Sequence, residues 1–132
     1  MILLDTSGLF CYLHRDEPQH ADAVNFFDTP ETKLTHNYVL AEFIPLCQAR
    51  GLNRNSVLAF AANLLDNPLI ETVWAGAELH RAALLLLEAR LDKSYSLCDA
   101  VSFLLMRERS IKEALTTDHH FEQEGFVRLL AP

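Results

Sequence analysis

The 132-residue chain is half hydrophobic, which is enough to bury a sizeable core and excludes a disordered chain. Its length predicts a single domain over residues 1–132. No apolar run is long enough for a signal peptide or a membrane span, so we expect a cytoplasmic protein without membrane association. The net charge of −7 argues against tight autonomous binding of nucleic acid, which usually leaves a basic footprint.

The three cysteines are an odd number and form no CxxC pair. Each of them, Cys11, Cys47 and Cys98, lies in an apolar stretch. This usage excludes a disulfide scaffold and predicts buried thiols in a reducing compartment.

The first half of the chain alternates short apolar runs with helical patterns. The predicted elements are strands at 1–4 and 33–36 and helices at 7–14, 18–28, 38–50 and from Asn53 or Asn55 to 65. Pro18 suits the first turn of the second helix, and Gly51 ends the third.

The second half continues the alternation. Its predicted elements are strands at 69–73, 114–117 and 126–130, helices at 78–90 and 97–109, and a short turn or helix at 119–124. Ser96 is the expected cap of the 97–109 helix, with Asp99 at the spacing of a capping box. Strands that alternate with helices predict an α/β fold with a mostly parallel sheet of four to five strands flanked by helices.

Two aspartates follow predicted strands. Asp5 comes directly after the first strand, and Asp118 comes directly after the fourth. Ligands bind at the carboxyl ends of the strands in open α/β sheets. If the two strands are parallel neighbours, the two carboxylates lie side by side.

Two further acids lie among apolar residues. Glu42 is surrounded by the apolar 39–46 segment, and Asp99 precedes the apolar 100–105 segment. A buried carboxylate needs a partner, and no Lys or Arg is close in sequence. A divalent cation is the simplest partner for a cluster of acids, and ligands that are all oxygen favour Mg²⁺ or Mn²⁺.

Each acid alone also has an ordinary structural interpretation. Asp5 is a candidate turn or N-cap residue, and Asp118 a candidate loop residue. Asp99 fits a capping box, and Glu42 fits the solvent side of an amphipathic helix. The four together, each at an element end or in an apolar context, are what indicates a metal site.

Four segments of the chain, in order, resemble the signature blocks of PIN domains. They are LLDTSGL at 3–9, YVLAE at 38–42, SLCDAVS at 96–102 and LTTDHHF at 115–121, and GFVRLL at 125–130 resembles the last strand of that family. The resemblance covers essentially the whole chain. The short form is similar to the VapC-like toxins of bacterial toxin–antitoxin pairs.

The resemblance implies a PIN-like three-layer fold and metal-dependent hydrolysis of RNA by an endoribonuclease that uses Mg²⁺ or Mn²⁺. It also implies a cognate antitoxin, whose C-terminal segment occupies the active-site groove, and a homodimer. Carried over by position, the metal-binding and catalytic acids are Asp5, Glu42, Asp99 and Asp118.

The same resemblance assigns supporting hydroxyls. Thr6 matches a hydroxyl beside the first acid, and Thr117 or Thr116 matches the one before the last acid. Their expected role is to orient carboxylates or a metal-bound water. The His119-His120 pair departs from the pattern, since a basic residue such as Arg often occurs there. We expect the pair not to bind metal, because adjacent residues after a strand usually point apart.

Candidate contacts to RNA phosphates are cations in predicted loops or at helix ends: Arg15, Arg50, Arg54 and Lys93. A solvated surface charge is the ordinary alternative for each of them.

Two other functions remain open at this point. One is an α/β phosphohydrolase with Asp5 as nucleophile, although that chemistry often uses a second acid two residues on, where this chain has Ser7. The other is a catalytically silent interaction module that keeps the fold, which the negative net charge favours and the intact acid set disfavours.

Overall fold

The computed structural model describes residues Met1 to Pro132 as one five-stranded sheet with helices on both faces. The strands are β1 (Ile2–Leu4), β2 (Lys33–His36), β3 (Ile70–Val73), β4 (Glu113–Leu115) and β5 (Val127–Arg128). The helices are α1 (Thr6–Leu13), α2 (His20–Phe27), α3 (Asn37–Ala49), α4 (Arg54–Asp66), α5 (Ala77–Glu88), α6 (Leu97–Glu108) and α7 (His120–Gln123). The predicted α/β architecture is confirmed.

All strand pairs are parallel, in the order β3-β2-β1-β4-β5. In this order β1 lies between β2 and β4, and Leu4 pairs with Leu115. The segments that follow β1 and β4 therefore leave the sheet next to each other. This adjacency is the condition under which Asp5 and Asp118 were expected to meet.

The central strand is buried on both faces because its side chains alternate between two hydrophobic clusters. Ile2 and Leu4 belong to the cluster beneath α1–α4, whereas Leu3 belongs to the cluster beneath α5 and α6. Leu3 and Leu4 are fully buried. Truncating either to alanine should cost roughly 2–5 kcal/mol, the usual range for buried leucine.

Helix α1 approaches β4 so closely that position 8 must be glycine. A Cβ atom on Gly8 would lie 1.9 Å from the carbonyl oxygen of Leu115. The amide of Asp5 donates to the same carbonyl, at 3.2 Å. Because glycine has no Cβ atom, the start of α1 can pack directly against the end of β4.

Several predicted boundaries differ from the structure. Helix α2 begins at His20, since Pro18 and Gln19 form a turn instead of its first turn. Strand β4 ends at Leu115, and β5 contains only Val127 and Arg128. All three cysteines are buried and free, as predicted. None of the seven helices combines the length and hydropathy of a membrane-spanning segment.

Candidate active site

A polar cavity of about 520 Å³ lies where β1 and β4 end. Leu46 is its only hydrophobic lining residue. The full lining is Asp5, Thr6, Ser7, Glu42, Leu46, Ser94, Ser96, Asp99, Thr117, Asp118, His119 and His120. All four predicted acids therefore face one space, which we call the acid cavity. Another cavity of similar size, about 550 Å³, lies beside α5 and contains none of them.

Asp5 is the most deeply placed of the four acids. It is 5 % exposed, and its Oδ2 accepts a 2.7 Å hydrogen bond from the Thr116 hydroxyl. Burial raises the pKa of Asp5 to about 7, and the negative charges of Asp99 and Asp118 raise it as well, whereas the bond from Thr116 opposes the shift. A cation in the cavity would favour the ionised carboxylate.

The hydroxyl of Thr116 connects the two strand ends. It donates to Asp5, and it accepts from the backbone N–H of Asp118 at 3.0 Å. Asp118 lies three residues beyond β4 instead of directly after it, and its Oδ1 accepts from the backbone N–H of His120 at 2.9 Å. The Thr116 hydroxyl thereby binds the carboxylate of Asp5 and the backbone N–H of Asp118.

Thr117, the alternative hydroxyl predicted for this segment, lines the cavity and makes its hydrogen bonds through the backbone. Its N–H donates to the Ser7 hydroxyl at 3.0 Å, and its carbonyl accepts from Arg128 at 3.0 Å. Ser7 Oγ also lies 3.1 Å from Thr116 Oγ1. Of the two threonines, Thr116 is the one whose side chain contacts an acid.

Asp99 lies in the first turn of α6 and forms the predicted capping box with Ser96. The Asp99 amide donates to Ser96 Oγ, and the Ser96 amide donates to Asp99 Oδ2, each at 3.0 Å. Asp99 is 7 % exposed, and burial is the main cause of its raised pKa. The capping role and the cavity position coexist, so the two interpretations of Asp99 do not exclude each other.

Glu42 is placed differently from the expectation. Its apolar neighbours bury other faces of α3, through Val39, Phe43 and Cys47, and the Glu42 side chain itself is exposed at the rim of the cavity. The argument that Glu42 needs a cation because it is buried is therefore wrong. Its hydrogen bond from the Thr6 hydroxyl, at 3.3 Å, still directs the carboxylate towards Asp5 and its neighbours.

His120, to which the sequence analysis gave no role in the site, contacts two of the acids in the structure. Its Nδ1 lies 3.1 Å from Asp99 Oδ2 and 3.3 Å from Asp118 Oδ2, so it bridges two acids that are far apart in sequence. The two histidine rings do not point apart as predicted. Their centroids are 4.7 Å apart, and both line the cavity. Together with Asp118 they offer three ligand atoms within 4.8 Å of one another.

The predicted phosphate contacts do not line the acid cavity. Arg50 borders an adjoining space of about 280 Å³ that shares Ser7 and Thr117 with it, and Arg50 pairs with Glu17 at 3.2 Å. The remaining three are elsewhere on the surface: Arg54 donates to Gln48, Lys93 lies near Asp92, and Arg15 is exposed after α1. Their contact with RNA stays a prediction.

Comparison with known proteins identifies the family. The PIN domain model matches residues 2–126. The chain is 32% identical over 130 residues to the 23S rRNA-specific endonuclease VapC20 of two Mycobacterium tuberculosis strains, CDC 1551 and H37Rv, covering 98% of each chain. It also matches the crystal structure of Mycobacterium tuberculosis VapC20, described as a sarcin-ricin loop cleaving toxin, with a TM-score of 0.88 and 28% identity over 99% of this chain and 100% of the other. The protein belongs to the PIN-domain family.

Proposed function

We propose that this protein is a metal-dependent endoribonuclease and the toxin of a type II toxin–antitoxin system. The observation that carries the proposal is the acid cavity, in which Asp5, Glu42, Asp99 and Asp118 converge at the carboxyl end of the sheet. Membership of the PIN family, and similarity to a relative named as an rRNA endonuclease, support RNA as the substrate.

The donor set fits a hard divalent cation. The four acids supply only oxygen, which suits Mg²⁺ or Mn²⁺. Two of these carboxylates, Asp5 and Asp99, are buried with raised pKa values, so a cation between them would offset the cost of their ionisation. A bound ion would lower the pKa of a water and neutralise charge on the scissile phosphate.

The surrounding residues position the carboxylates. Thr116 holds Asp5 by a 2.7 Å bond, and Thr6 holds Glu42. Ser96 holds Asp99 through its backbone N–H. Such supporting hydrogen bonds fix the direction of a carboxylate and usually change metal affinity strongly when they are removed.

The phosphate backbone of the RNA needs positive charge as well as metal. Arg50 is the predicted contact that lines a space adjoining the acid cavity, through the shared residues Ser7 and Thr117. We assign it the main phosphate contact. Arg15, Arg54 and Lys93 stay candidates for more distant nucleotides.

The net charge of −7 favours a basic partner. We propose a cognate antitoxin whose basic segment occupies the acid cavity and blocks the enzyme. A homodimer and a cytoplasmic location, where RNA is available, complete the proposal.

The test is cleavage of ribosomal RNA by purified protein with Mn²⁺ or Mg²⁺, and with EDTA as the metal-free control. Asp99→Asn should abolish cleavage while keeping the helix cap, since an amide oxygen still accepts the Ser96 bond. Asp66→Asn, at an exposed acid of α4 outside the cavity, should cleave as the wild type does. Cleavage that persists in EDTA or in Asp99→Asn would contradict the proposal.

A further inference from the structure

An apolar recess opens beside the acid cavity. It has a volume of about 250 Å³ and is lined by Tyr38, Ala41, Glu42, Leu97 and Cys98. Glu42 lines both spaces, so the recess adjoins the acid cavity along this side chain. A molecule bound at the acids would therefore need to pass only the Glu42 side chain to reach the recess.

The acid cavity is polar, whereas the recess is apolar. The acid cavity has one hydrophobic residue among twelve, and the recess has four among five. A nucleotide has a similar division, with a charged phosphate on one side and a flat base whose faces stack on apolar and aromatic surfaces on the other. At roughly 30 Å³ per water, the recess has the volume of about eight water molecules, which is enough for one base.

The walls of the recess belong to regular elements. Ala41 lies on α3, and Leu97 and Cys98 form the first turn of α6. The Tyr38 hydroxyl is hydrogen-bonded to His80 Nδ1, which fixes the position of the ring. The recess is therefore formed before any ligand arrives, as expected of a binding site on rigid elements.

We propose that this recess receives the base of a nucleotide next to the scissile phosphate, an inference that rests on the proposed ribonuclease function. Proteins commonly hold unpaired RNA bases by contact with aromatic and apolar side chains. Few side-chain groups in the lining are left to read the edge of a base, since the Tyr38 hydroxyl is bonded to His80 and the Glu42 carboxylate already accepts from Thr6. The recess therefore accepts any of the four bases with little selectivity.

Ala41→Leu tests this inference because it fills the recess from an exposed helix position that leucine tolerates. Ala49→Leu is the matched control, at an exposed position of the same helix outside the recess. Each protein is assayed on an RNA oligonucleotide and on the same oligonucleotide lacking the base beside the cleaved bond. The wild type and Ala49→Leu should cleave the intact RNA with a kcat/KM about tenfold higher than the abasic RNA, in the range for one stacked base.

In Ala41→Leu, the ratio of the two kcat/KM values should fall to about one. Equal loss on both substrates, or no loss on either, would overturn the assignment. If Ala41→Leu cleaved both RNAs as the wild type does but bound an antitoxin peptide more weakly, the assignment would also be overturned. That result would identify the recess as a peptide-binding site.

Binding separates this inference from the proposed function. Fluorescence anisotropy with Ca²⁺ in place of Mg²⁺ measures the affinity for both oligonucleotides without cleavage. If the wild type cleaves no RNA, the proposed function fails, and the binding data still decide the recess. Equal affinity of the wild type for intact and abasic RNA would overturn the recess even in an active enzyme.

Discussion

We expect the Glu124→Gln substitution to lower the free energy of unfolding by about 2 kcal/mol at pH 7. The Glu124 carboxylate is 4 % exposed and accepts hydrogen bonds from Arg90 at 3.0 Å, Arg107 at 2.6 Å and Tyr95 at 2.9 Å. These bonds join α7 to the end of α5, to α6 and to the loop between them. The Glu124 carboxylate therefore helps to fix α7, whose residue His120 lines the acid cavity.

The magnitude follows from the pKa of this carboxyl. Burial alone would raise it, but the hydrogen bonds from Arg90, Arg107 and Tyr95 lower it from 4.5 to about 2. At 1.36 kcal/mol per pKa unit, this difference corresponds to an upper limit of about 3 kcal/mol. The two arginine side chains remain 33% and 43% exposed, so solvent screening reduces the expected value to about 2 kcal/mol.

The sign of the pH dependence is fixed by the lowered pKa. The contribution is fully present above pH 4.5, the unfolded value, and is lost as the pH falls towards 2. Urea unfolding between pH 7 and pH 3 should therefore show that the difference in free energy of unfolding between wild type and Glu124→Gln shrinks below pH 4.5.

The matched control is Glu71→Gln, at a carboxylate that also pairs with an arginine. Glu71 binds Arg109 at 2.7 Å but is 47 % exposed, so its loss should cost under about 1 kcal/mol. Equal destabilisation by both variants would contradict this role of Glu124. So would a difference in the free energy of unfolding between wild type and Glu124→Gln that stays constant down to pH 3.

Three further predictions concern the acid cavity and the elements around it. Gly8→Ala should destabilise the protein by about 3 kcal/mol in urea unfolding, because its Cβ would strike the Leu115 carbonyl. Gly76→Ala, where nothing lies within 4 Å, should cost less than about 1 kcal/mol, since it loses only the preference for Gly over Ala at the N-cap of α5. Thr116→Val removes the 2.7 Å hydrogen bond to Asp5, so calorimetry should show that the affinity for Mn²⁺ is reduced about 10- to 100-fold. An unchanged affinity would contradict a positioning role of Thr116. Because the pKa of Asp5 is about 7, the metal-free protein should lose stability as the pH rises from 4 to 7. For the same reason, the affinity for Mn²⁺ should weaken about tenfold per pH unit below pH 7. A stability or an Mn²⁺ affinity that does not change over this pH range would disprove the corresponding prediction.

The parallel α/β architecture could be predicted because strands alternate with helices along the chain, and the structure confirms it. The strand order was not predicted, and the pairing of β1 with β4 supplies the condition under which Asp5 and Asp118 were expected to meet. The capping box of Ser96 and Asp99 was also predictable, since it depends on residues three apart in one helix. Both features are determined by sequence spacing together with general rules of α/β architecture.

The side-chain environment of the cavity could not be predicted in the same way. Whether Glu42 is buried depends on which face of α3 meets the sheet, and its apolar neighbours alone gave the wrong answer. The role of His120 depends on the packing of α7 against α6, because its partner Asp99 is 21 residues away. Only the hydrogen bonds distinguish Thr116 from Thr117. These are tertiary contacts, which no local pattern encodes.

We expect the converging carboxylates to hold a divalent metal ion. The sharpest test is anomalous diffraction from crystals soaked in Mn²⁺. An anomalous peak should lie within about 2.5 Å of carboxylate oxygens of Asp5 and Asp99, as expected for oxygen ligands of a hard cation. A cavity without a peak, or a peak held only by the Asp118, His119 and His120 group, would contradict this expectation.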